Sequence, residues 1–69
     1  MSSAQQEAFA AYLRARLPKP PGEKYHALYA LTEFSARTLG RSVRHWRDLS
    51  MDDARLVMRA AQAQHPRAA

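Results

Sequence analysis

Two hard breaks in an otherwise helix-patterned chain set the limits on its fold. The run at 17–22, LPKPPG, places three prolines in four positions. Proline fixes φ and drives the residue before it out of the α region, so no helix passes through this stiff connector. The second break is Gly40, the residue type that takes the left-handed position after a helix at least cost. Around these breaks apolar residues recur every three to four positions, β-branched residues are scarce and no run alternates. The fold class is therefore all-α: a compact bundle of three main helices plus one short helix, in one domain over residues 1–69.

The helix ends follow from local signals. Ser3-Ala-Gln-Gln6 matches the capping box, Ser/Thr followed three residues later by Gln/Glu, and predicts a first helix over 4–17. Its inward residues are Phe9, Tyr12, Leu13 and Leu17, with Arg14 and Arg16 off that stripe in solvent. A second helix over 23–39 carries a stripe of Tyr25, Leu28, Tyr29, Thr32, Ala36 and Leu39, widened by Leu31 and Phe34. So broad an apolar surface marks the central helix, with Tyr25 and Tyr29 half-buried. Ser42 then caps a short helix over 43–49, whose Val43, Trp46 and Leu49 form an inward edge. Ser50-Met-Asp-Asp53, a weaker box, opens a helix over 51–64 that buries Met51, Ala54, Val57, Met58 and Ala61. Both methionines read as packing, and Trp46 reads as core because a lone tryptophan is a large share of so small an interior. His65-Pro66 ends the last helix, and 65–69 is a fraying tail.

Cysteine is absent, so neither a disulfide nor a thiolate metal site is available and stability comes from packing. The opening MSSAQQEAFA has no positive charge and no long apolar run, and nowhere is there an apolar stretch of membrane-spanning length. These features point to a soluble, cytoplasmic protein without a membrane partner. The nine arginines against two lysines, with many alanines, fit a GC-rich bacterial or phage genome.

Catalysis finds little support. His26, His45 and His65 stand on separate segments, and no nucleophile faces His45 and Asp48. Ser35, Ser42 and Ser50 have capping or solvent roles, and neither a phosphate-binding glycine loop nor HExxH is present. Four short helices leave little room for a pocket, so no enzyme, no cofactor and no metal are expected.

Charge is the informative feature. The net charge is +5, but residues 1–34 hold four basic and three acidic groups whereas residues 35–69 hold seven and three. Such a basic half invites a polyanion, nucleic acid first. Arg37, Arg41, Arg44 and Arg47 follow at steps of four, three and three, forming a ridge that Arg55 and Arg59 extend. Arginine forks match phosphate oxygens, and the backbone donors at Ser42 would face the same anion. A stricter version is a helix-turn-helix, with the Ala36–Gly40 spacing followed by Val43, Trp46 and Leu49 and with 42–47 in a major groove.

The span from Lys24 to Ala61 also resembles a helical module at the C-termini of some phage single-strand-annealing and recombination proteins. The matching residues are Leu28, Ala30 and Leu31, then Gly40, Arg41 and Val43, then Asp48, Leu49 and Ser50, and finally Asp53, Ala54, Val57 and Met58. The resemblance implies a helical fold and an association with recombination or replication machinery. The functional expectation is a small basic nucleic-acid-binding accessory protein, DNA being favoured over RNA, in recombination, replication or transcription. The alternative is an adaptor or inhibitor that docks on a larger nucleic-acid-processing protein, or on a second copy of itself as a homodimer, through an apolar patch at Leu31 and Phe34.

Overall fold

The computed structural model describes residues 1–17 and 27–66. The expected start of the second helix at 23–26, with Tyr25 and His26, the connector from Pro18 to Gly22, and the last three residues lie outside that range. Within it the chain is all-α: α1 spans Ser3–Arg16, α2 spans Ala27–Leu39 and α3 spans Met51–Gln64. One 3-10 turn, Trp46–Asp48, interrupts the connection between α2 and α3. Among the described residues no helix is long and apolar enough to cross a membrane.

Capping accounts for the ends. The cap of α1 is Ser2 rather than Ser3: its hydroxyl accepts the Gln5 N–H at 3.2 Å, and the Gln5 side chain accepts the Ser2 N–H at 2.8 Å. Ser3 and Gln6 present the same pattern one residue later, so the sequence holds two overlapping boxes and the earlier one forms. α2 ends as expected, with Gly40 at φ +69° and the N–H groups of Gly40 and Arg41 both directed at the Ala36 carbonyl. At α3 only half the box forms: Ser50 accepts the Asp53 N–H at 3.1 Å, while the Asp53 carboxylate is paired with Arg41.

The short helix expected over 43–49 is instead a single 3-10 turn. His45 is extended, at φ −154° and ψ 139°, and its Nδ1 rather than the Ser42 hydroxyl caps the turn, accepting the Arg47 N–H at 3.1 Å. Only Trp46 of the Val43, Trp46 and Leu49 repeat lies within that turn, and Leu49 follows it in extended conformation, so the repeat does not report a continuous helix. With no helix at 42–47, the helix-turn-helix reading has no recognition helix.

The core gathers Phe9, Ala10 and Leu13 from α1, Leu31 from α2, Trp46 and Leu49 from the connection, and Ala54, Val57 and Ala61 from α3. Trp46 lies at the centre, 1% exposed, its ring stacked on Phe9 with centroids 5.5 Å apart. Its backbone N–H donates to the Thr32 hydroxyl at 3.3 Å, which ties the connection to α2. The indole N–H is buried and meets no acceptor among the described residues, a cost of about 1–3 kcal/mol that the ring's burial must offset.

The stripe of α2 is turned by about one position from the sequence expectation. Leu31 and Ser35 face inward and Tyr29 is 66% exposed, not half-buried. Ser35 has neither a capping nor a solvent role: it is fully buried and its hydroxyl donates to the Leu31 carbonyl at 2.7 Å. Large and small side chains alternate here, the bulk of Trp46 and Phe9 being matched by Ala10, Ser35, Ala54 and Ala61, which lets the helices approach closely.

Candidate nucleic-acid interface

The expected arginine ridge is taken apart by what each guanidinium touches. Arg41 follows the α2 cap and pairs with Asp53 at 2.5 Å, the two side chains being 50% and 26% exposed. Arg47 lies over the Trp46 ring, 4.6 Å from its centroid, and donates to the Gln6 side chain at 2.8 Å. It therefore covers the core tryptophan and fastens the connection to α1. Arg37 and Arg44 are exposed, with no ion pair among the described residues. Because 41–45 is not helical, the steps of four, three and three do not place these four side chains along one helical edge.

Arg55 and Arg59 do not extend that row. A helix turns roughly 100° per residue, which puts both on one flank of α3, roughly 120–160° around the axis from Asp53 and its partner Arg41. They line a shallow cleft of about 230 Å³ against α1, together with Tyr12, Met58 and Gln62. The Tyr12 hydroxyl reaches the Gln62 side-chain oxygen at 3.5 Å, a long contact. Arg16, one turn after Tyr12, lays its guanidinium 3.7 Å from the ring centroid and donates to the Tyr12 carbonyl at 3.4 Å. Its Nε is buried without a partner among the described residues, so Arg16 is not a solvent side chain.

Arg16 thus covers the Tyr12 ring, while Arg55 and Arg59 line the cleft beside it. The only carboxylate paired with them among the described residues is the highly exposed Asp52, whose oxygen is 3.7 Å from Arg55 Nη1. An exposed pair at that distance is worth about 0–1 kcal/mol and is readily exchanged for another anion. The sequence reading named Arg55 and Arg59 but missed Tyr12, Arg16 and Gln62 as site residues. The signals were two Xaa-to-Arg steps of four, Tyr12 to Arg16 and Arg55 to Arg59, each of which sets its pair on a common helix face. Met58 both packs on the core and lines the cleft.

The apolar patch expected at Leu31 and Phe34 is not formed. Leu31 is 1% exposed and Phe34 is half-buried, its ring 6.5 Å from that of His65. No group of three or more His, Asp or Glu residues that could hold a metal occurs among the described residues. The molecule so far defined is a small all-α protein with an arginine-lined cleft between two helices. No family model, curated protein or solved structure matches the chain.

Proposed function

We propose that this is a small nucleic-acid-binding protein, an accessory to recombination, replication or transcription that performs no catalysis of its own. The observation that carries the reading is that Arg55 and Arg59 line one cleft, with the exposed Asp52 their only paired carboxylate among the described residues, in a chain of net charge +5. Phosphate esters are the anions that such a set of forked donors suits best, and exposed Arg37 and Arg44 add attraction at longer range. DNA and a recombination setting are the form of this reading that accords with the resemblance in residues 24–61. The alternative, docking on a larger protein through an apolar helix face, is weakened because Leu31 is a core side chain.

Fluorescence anisotropy of labelled single- and double-stranded DNA across about 50–300 mM salt tests the proposal. Two phosphate contacts, at Arg55 and Arg59, give a log–log slope of about −1.4 on a single strand and about −1.8 on a duplex. Absence of binding to either at the lowest salt would overturn the reading.

A further inference from the structure

We infer that His45 makes the seat of the core tryptophan sensitive to pH: its neutral imidazole holds the turn at Trp46–Asp48, and protonation of the ring releases it. The bond at issue is specific about protonation. His45 Nδ1 accepts the Arg47 N–H at 3.1 Å, the place that a serine or aspartate oxygen takes at an ordinary cap. A neutral imidazole does this only with its proton on Nε2. A protonated ring donates from both nitrogens, so Nδ1–H meets the Arg47 N–H head-on and the bond is lost.

The surroundings do not compensate. Arg44 and Arg47 are exposed cations beside His45, and a charged ring would make three cations within four residues. Asp48, whose N–H donates to the His45 carbonyl at 2.9 Å, is the carboxylate nearest in sequence. Neither it nor any carboxylate of α1, α2 or α3 forms an ion pair with His45 among the described residues. The polar side chains that reach this turn from the helices, Gln6 of α1 and Thr32 of α2, are uncharged. The Trp46 ring, 5.6 Å from that of His45, would attract an imidazolium, but the Arg47 guanidinium already lies 4.6 Å from its centroid and repels a second cation. What the bond holds is the centre of the core, since the turn delivers Trp46 to Phe9 and to Thr32. The unfolded chain takes up the proton without losing this bond. Stability from the bond is therefore present at about pH 8 and lost as pH falls towards about 5, the range in which imidazoles titrate.

The test is urea denaturation at about pH 8 and about pH 5.5, read by circular dichroism on wild type and His45→Asn. The asparagine side-chain oxygen accepts the N–H two residues on at either pH. The wild-type folding constant is expected to fall about 2- to 30-fold on acidification, the range of a lost cap, beyond any fall in the variant. His26, His65 and the carboxylates titrate in both proteins and cancel in that comparison. Equal falls, or a larger one in His45→Asn, would overturn the inference. Nitrogen NMR of the wild-type ring at about pH 8 keeps the test independent of how the variant folds. The Nε2–H tautomer is expected there, and the Nδ1–H tautomer would overturn the inference.

Discussion

The connection from Gly40 to Ser50 and the cleft between α1 and α3 are both rich in arginine, yet they use it in opposite ways. In the connection Arg41 is held by Asp53, and Arg47 is spread over Trp46 and tied to Gln6. These cations join segments distant in sequence while remaining exposed. Beside the cleft Arg16 braces a tyrosine, and the only carboxylate paired with Arg55 or Arg59 among the described residues is the exposed Asp52. The difference lies in neighbours, not in residue type or spacing. An arginine's role here is decided by whether a carboxylate, an amide or an aromatic ring from another element reaches it first.

The two regions should therefore respond differently to substitution, in stability for the connection and in binding for the cleft. The largest effect is expected at Trp46. Trp46→Ala empties the centre of the core and should cost about 3–5 kcal/mol, enough to unfold much of a domain this small. Urea denaturation followed by circular dichroism reads the loss. Trp46→Phe keeps an aromatic ring and removes the unpartnered N–H, so its cost should be the smaller of the two by at least about 1 kcal/mol. Next in size is Gly40→Ala. A Cβ there meets nothing within 4 Å, so the whole penalty is that of φ +69° for an L side chain, about 1–2 kcal/mol. A measured change near zero would mean that α2 ends differently. Smallest is Arg41→Ala, which breaks a half-exposed ion pair and should cost about 0.2–1 kcal/mol, shrinking as salt is raised.

Much of this fold was legible in the sequence because its signals are local. Gly40, Ser50 and His65 each mark a helix end by chemistry that acts within one turn, and α3 begins and ends where they place it. The placement of Trp46 in the core followed equally directly from its three-residue period with Val43 and Leu49. That same period was misread as an α-helix because seven residues make only about two helical turns, too few for spacing alone to separate a helix from an irregular connection. His45, not Ser42, decided the matter by capping with its ring nitrogen. The rotation of α2 was hidden for a different reason. Ser35 is fully buried with its hydroxyl on the Leu31 carbonyl, a placement set by tertiary packing that leaves no local mark. The cleft was half legible: the pair Arg55 and Arg59 is visible as a step of four, but nothing in α1 announces that Tyr12 and Arg16 lie opposite.

One pair of double variants tests the contrast most directly, since each removes two positive charges from an identical background. Arg55→Ala with Arg59→Ala strips the cleft, whereas Arg41→Ala with Arg47→Ala strips the connection. Binding of labelled single-stranded DNA, followed against salt with both proteins verified as folded, should separate them. The cleft variant is predicted to lose about tenfold or more in affinity at low salt and to flatten the log–log slope by about 1.4, two contacts' worth. The connection variant is predicted to be less stable but to keep the wild-type slope. Equal losses in the two variants, or a larger loss and a flatter slope in the connection variant, would contradict the assignment of binding to the cleft.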